Sequence, residues 1–161
     1  MEFSPAGIFK KYLLPNYFQT AGLVLAAAGI VMTYLRFGSG IKPGFLDVRV
    51  FAFYSSYFDT KYFRFIDNNI SEEICGITLL TGLFFIAFSK EKTEQDHFWT
   101  FRLRSFILSA YCSALFLLLS FLFVFGLAFF NMLSLYIILP LFIYSVIFRY
   151  FLIKDRMLTR S

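Results

Sequence analysis

The chain is poor in the residues that chemistry in water relies on. In 161 residues it has one histidine, two cysteines, one tryptophan and four prolines, and only 16% of it is charged. A lone His97 does not offer the repeated His and Cys spacing of a metal centre, so it reads as a solvated residue at an interface. Cys75 and Cys112 both fall inside apolar runs, where neither a disulfide framework nor a metal site has its usual spacing; they read as small buried hydrophobes. Acid–base or nucleophilic catalysis needs a base within reach of a nucleophile. His97, Glu91, Glu94 and Asp96 are the one set that the chain order brings near each other, and they share a loop. The sequence therefore predicts a non-enzymatic protein with no cofactor and no metal.

What fills the chain instead is apolar. Hydrophobic residues make up 59% of it and aromatic residues 22%, with 25 phenylalanines and 10 tyrosines. That profile lies far above the composition of a soluble domain, so the expected solvent for most of the chain is lipid. The formal charge of +5 does not point to nucleic acid, because the basic residues flank apolar runs rather than cover one soluble face. The predicted class is all-α, one integral membrane domain over residues 1–161.

Four spans are expected, at about 18–35, 74–89, 105–125 and 132–153. From Phe18 to Leu35 no side chain ionises, and 18 residues of helix cover about 27 Å of a hydrocarbon layer about 30 Å thick. Lys10, Lys11 and the later Ala26-Ala27-Ala28 resemble a secretory signal, yet the apolar run continues past them, which predicts an uncleaved span. Gly22, Ala26, Gly29 and Thr33 recur along one face of it and are candidates for close helix packing, within a bundle or between protomers. Ahead of this span, Ser4-Pro5 opens a short helix with Ile8, Phe9, Tyr12 and Leu13 on one face, suited to lie in the headgroup plane.

Phe37-Gly38-Ser39-Gly40 and Pro43-Gly44 end the first span, and then the pattern changes period. Over about 46–66, Val48-Arg49-Val50-Phe51-Ala52-Phe53-Tyr54 and Lys61-Tyr62-Phe63-Arg64-Phe65-Ile66 alternate in part and are rich in β formers, which predicts an extramembrane β-hairpin. A short amphipathic helix is the competing assignment, since Arg49, Phe53 and Tyr57 fit a four-residue repeat. Asn68-Asn69-Ile70-Ser71-Glu72-Glu73 reads as a capped helix start, with carboxylates placed for the helix dipole.

The densest charge lies in Ser89-Lys90-Glu91-Lys92-Thr93-Glu94-Gln95-Asp96, after the second span. Thr93 to Asp96 has capping-box spacing, so a helix is expected to start there and to run into the third span. Trp99, Arg102 and Arg104, with Lys10 and Lys11, are candidates for contact with lipid headgroups. Between Arg104 and Arg149 nothing is charged, and those 44 positions would give about 66 Å of helix, enough for two spans turned near Gly126–Asn131. Pro140 lies inside the fourth.

With Asn68-Asn69, Glu73-Ile74 and the Ser89–Asp96 run in view, residues 45–153 resemble a group of small four-span membrane proteins of Bacteroidetes. Members carry an S-K-E-K-x-E type run between spans two and three; here Gln95-Asp96 stands where an acidic pair is usual. The resemblance implies a membrane location and four helices, and implies no activity.

Orientation follows from cation counting. Lys10, Lys11, Lys90, Lys92, Arg102, Arg104, Arg149, Lys154, Arg156 and Arg160 share one side of a four-span path; Arg36, Lys42, Arg49, Lys61 and Arg64 take the other, and the acids divide evenly. The positive-inside rule predicts a bacterial inner-membrane protein with both termini cytoplasmic. Its expected partners are the bilayer and either a second copy or a membrane-protein complex. The expected role is an accessory or scaffold subunit; an oligomeric pore or membrane-permeabilising effector is the alternative.

Overall fold

The computed structural model describes residues 11–56, 60–93, 95 and 97–158. It has four helices long and apolar enough to cross a membrane, and a small antiparallel sheet. Helix α1 spans Tyr17–Thr33 and widens into a π-turn over Tyr34–Gly38. A 3-10 turn at Gly44–Leu46 leads to strands β1, Asp47–Ser56, and β2, Thr60–Asn69. Helices α2, Ser71–Phe88, α3, Phe98–Phe123, and α4, Leu127–Leu158, follow.

Lengths explain where the charges fall. With 18 residues α2 is about 27 Å long and barely covers the hydrocarbon, whereas the 32 residues of α4 make about 48 Å. The surplus of α4 is its last turns, which carry Arg149, Lys154, Asp155 and Arg156 beyond the apolar zone. Helix α2 begins three residues before the predicted span. Asn69 Oδ1 accepts from the Ser71 amide at 3.2 Å, and Glu72 and Glu73 occupy the first turn.

The segment after α1 is the predicted hairpin, and the helical alternative fails. The strands pair in constant register from Asp47↔Asn69 to Ser56↔Thr60. Phe51 and Phe65 meet across them with ring centroids 5.3 Å apart. Phe63 takes φ +48, a conformation bulky residues rarely adopt. Asn69 fixes the root, its Nδ2 donating to Pro43 O at 3.1 Å and Asp47 Oδ1 at 2.7 Å.

Two boundaries differ from expectation. Thr93 lies in a turn, and α3 starts at Phe98 with no side-chain cap on its first turn, later than the predicted start. Glu94 and Asp96, half of the expected capping box, lie outside the described residues. The second hairpin turn comes earlier than predicted: α3 ends at Phe123 and α4 is helical from Leu127, with Gly126 at φ +70, where a side chain would be strained. Of the predicted N-terminal helix, Lys11 to Leu14 fall among the described residues: Lys11 and Tyr12 are helical, whereas Leu13 is a bend and Leu14 pairs with Ser89.

Packing is pairwise. Helix α1 lies on α2, α3 on α4, and α2 also touches α4. Between α1 and α2 the contact is made by absent side chains. A Cβ on Gly22 would lie 2.8 Å from Gly82 O, one on Gly29 would lie 2.7 Å from Leu79 Cα, and one on Gly82 would overlap the Ala26 backbone. Arg36 adds an ion pair to Glu72 at the hairpin end. Along α3 the buried residues Ser105, Ser109, Ser113 and Ser120 form the face toward the bundle interior. Each hydroxyl donates within its own helix, at 2.7–2.9 Å, to Phe101 O, Phe106 O, Ser109 O and Phe116 O. They fill little space rather than link helices.

The two glycines of α2 make opposite predictions. Gly82→Ala forces the α1–α2 contact apart and is expected to cost about 1–3 kcal/mol of stability. At Gly76 a Cβ meets nothing within 4 Å, so Gly76→Ala is expected to be neutral or stabilising by up to about 1 kcal/mol. Reversible unfolding of both variants in mixed micelles checks the difference.

Candidate functional site

At the end opposite the hairpin, polar groups from several elements converge around Ser89-Lys90-Glu91. Helix α2 stops at Phe88 because Ser89 turns extended, at φ −87 and ψ 151. The last carbonyls of any helix lack internal partners, and in a membrane that deficit is costly. Here several elements supply them. Leu14, ahead of α1, runs parallel to Ser89: its amide donates to Phe88 O, and the Lys90 amide donates back to Leu14 O, both at 2.9 Å. The Ser89 hydroxyl closes on Phe85 O. Asn16 Nδ2 reaches Lys90 O at 2.8 Å.

Arg102 completes the arrangement from α3. Its Nη1 donates to Ala87 O at 3.2 Å and its Nη2 to Ser89 O at 3.0 Å, while the guanidinium carbon sits 4.4 Å from the centroid of Phe148 on α4. A cation here also meets the negative end of the α2 dipole. The expectation that Arg102 reaches lipid phosphate is corrected: it is 6% exposed and directed inward. A planar fork can bridge two carbonyls and stack on a ring at once, which makes the interior a better environment for it than the headgroup layer. A signal for this exists in the sequence, because Arg102 is in helical phase with Ser105, Ser109 and Ser113, and Arg104 is not.

Glu91 is the second buried charge, at 5% exposure. Its Oε1 accepts from Gln19 Nε2 at 2.5 Å and lies 3.5 Å from Arg149 Nη1, and its Oε2 lies 3.7 Å from Arg156 Nη2. One carboxylate thus joins α1, the segment after α2, and the end of α4. Nearby, His97 Nε2 and Asp155 Oδ2 are 3.1 Å apart, linking the start of α3 to the same end of α4. Beneath them Phe98, Phe148 and Leu152 form a buried apolar cluster with Phe101 against it.

No protein-family model, curated protein or solved structure matches the chain.

The sequence candidates are placed as follows. Gly22, Ala26 and Gly29 are buried at the contact with α2; Thr33 is half-buried and its hydroxyl donates to Gly29 O at 2.7 Å. Lys11 and Arg104 are exposed and Trp99 half-buried at the charged end, while Lys10 lies outside the described residues. Of the set His97, Glu91, Glu94 and Asp96, the two described members turn to separate partners, Glu91 to Arg149 and Arg156 and His97 to Asp155; Glu94 and Asp96 lie outside the described residues. Among the described residues, no three His, Cys, Asp or Glu side chains lie close enough to hold a metal ion. Sequence reasoning missed Glu91, Gln19 and Gly82 as structural residues, because their partners are distant along the chain.

The described contacts at this end tie the elements of the bundle to one another. Glu91→Ala leaves Gln19, Arg149 and Arg156 without their shared acceptor and is expected to cost about 1–3 kcal/mol, whereas Lys92→Ala at an exposed position should change stability by less than about 0.5 kcal/mol. Arg102→Lys is expected to behave like Arg102→Met, since an ammonium reproduces neither the fork nor the stacking. Unfolding midpoints of the four variants in one detergent check both statements.

Proposed function

We propose that this chain is a non-enzymatic multi-pass protein of a bacterial inner membrane, an accessory or scaffold subunit that packs with itself or with a larger membrane complex. The observation that supports the reading is the direction of its polar groups. The charged and amide side chains around Ser89-Lys90-Glu91 bind other parts of the same bundle, and the α3 hydroxyls serve their own helix. Outward, the bundle offers apolar side chains such as Leu23, Val24 and Val31 on α1 and Phe106, Tyr111 and Leu118 on α3. A surface of this kind suits lipid or another apolar helix.

A pore needs polar groups directed along a span, and the buried serines donate their hydroxyl hydrogens to backbone carbonyls of their own helix. Both termini and residues 89–104 belong in the cytoplasm on this reading, supported by the cation excess at that end.

Two measurements test the proposal. A tag inserted between residues 59 and 60 is expected to react in intact spheroplasts with a reagent that cannot cross the membrane; reaction only after lysis contradicts the orientation. Liposomes containing the purified protein are expected to retain a trapped dye, and the protein extracted in mild detergent to migrate as an oligomer or complex. Dye release by a monomer contradicts the scaffold role.

A further inference from the structure

Helix α4 is packed by α3 along one side and touched by α2 on another. What these neighbours leave uncovered is a single line. From Phe142 to Ile153 the exposed residues are Phe142, Val146, Tyr150 and Ile153, and Met157 continues the series one turn later. At intervals of four, four, three and four residues they fall within about 80° of the helix circumference. All five are apolar or aromatic, and each is 48–68% exposed.

The line does not stop where the hydrocarbon does. Helix α2 barely covers the apolar layer, and Glu91, three residues past its end, meets Arg149 from one direction along α4 and Arg156 from the other. The charged end of α4 therefore starts at the edge of the hydrocarbon. From Arg149 to Met157 is eight residues, about 12 Å of helix, whereas the headgroup layer on each side is roughly 5–8 Å deep. Ile153 and Met157 thus present apolar surface at a depth that acyl chains do not reach. The exposed apolar side chains of the other helices, such as Val24 on α1 and Leu118 on α3, lie within the spans, where lipid covers them.

A second copy fits this line. Copies inserted in the same direction are related by a two-fold axis along the membrane normal, which lays one α4 parallel to the other and sets each residue at the depth of its counterpart, inside the bilayer and beyond it. Side chains of this size and exposure present roughly 100 Å² each, so the five from each copy bury on the order of 1,000 Å², the area a specific interface needs. Lys154 borders the line and takes the polar rim.

We propose that the chain forms a parallel two-fold dimer through the Phe142–Met157 line of α4, with the contact continuing past the headgroups as a short two-helix stem. This rests on the reading of the chain as a subunit that packs with itself, and it names the surface.

The two natural cysteines are first removed from the full chain by Cys75→Ala and Cys112→Ala. In liposomes at high lipid-to-protein ratio, oxidation is expected to convert Ile153→Cys and Met157→Cys mostly to disulfide-linked dimer, and Val24→Cys, exposed on α1, only slightly. In mild detergent the natural chain is expected to migrate as a dimer. Ile153→Asn combined with Met157→Asn, which alters only exposed side chains, is expected to weaken dimerisation at least about tenfold while helicity is retained. Equal cross-linking at all three positions marks random collision and overturns the proposal. A dimer that persists in the double variant, without cross-links at Ile153 or Met157, also overturns it and leaves the scaffold reading standing on another surface. A chain that migrates alone as a monomer and gives no cross-link overturns both.

Discussion

A helix that ends at the edge of a bilayer leaves carbonyls that neither its own amides nor the lipid can satisfy. This constraint organises the protein. Helix α2, which follows the hairpin and precedes the long α3–α4 pair, reaches its end at Phe88, and its terminal acceptors are met by Leu14, Arg102 and the Ser89 hydroxyl. Because those donors come from the segment before α1 and from α3, satisfying one helix end fixes the position of its neighbours. Phe148 stacks on Arg102 and Arg149 faces Glu91, so α4 is drawn to the same point. The conformational entropy of ordering the chain at this end is offset by many bonds made within one small volume, rather than by one strong pair.

Away from that end the bundle relies on close approach. Lipid tails are as apolar as leucine, so helices in a membrane gain little from hydrophobic exclusion and depend on packing. Glycines at the α1–α2 contact and buried serines on α3 serve this purpose by being small. Small residues leave the larger Phe, Leu and Tyr side chains of α3 outside, which accounts for an apolar exterior around a partly polar seam. The division of labour is spatial: direction and register come from the charged end, and distance comes from the seam.

Much of this was legible in sequence. The four helices follow from the gaps between charged residues, and the hairpin from alternating β formers between Leu46 and Ile66. The phase of Gly22, Ala26 and Gly29 picked out the face of α1 that lies on α2. Hidden from it were the relations between distant positions. Glu91 stands in a run of hydrophilic residues, between half-buried Lys90 and exposed Lys92, and nothing local distinguishes it; its partners Gln19 and Arg149 are known only once the helices are assembled. Arg102 and Arg104 look alike in a basic pair, and helical phase alone separates the one that turns inward from the one that does not. The start of α3 was placed too early because Thr93 offers capping chemistry, whereas the chain first has to pass from Ser89 to Glu91 against Leu14.

The claim on which the rest depends is that residues 89–91, although outside any helix, are fixed by the parts of the bundle around them. Amide hydrogen exchange of the protein in detergent or nanodiscs reads this directly at Leu14 and Lys90, whose amides donate to Phe88 O and Leu14 O. The account predicts that both exchange as slowly as the amides in the body of α2. Exchange at the rate of an open loop, while α2 itself stays protected, would contradict it.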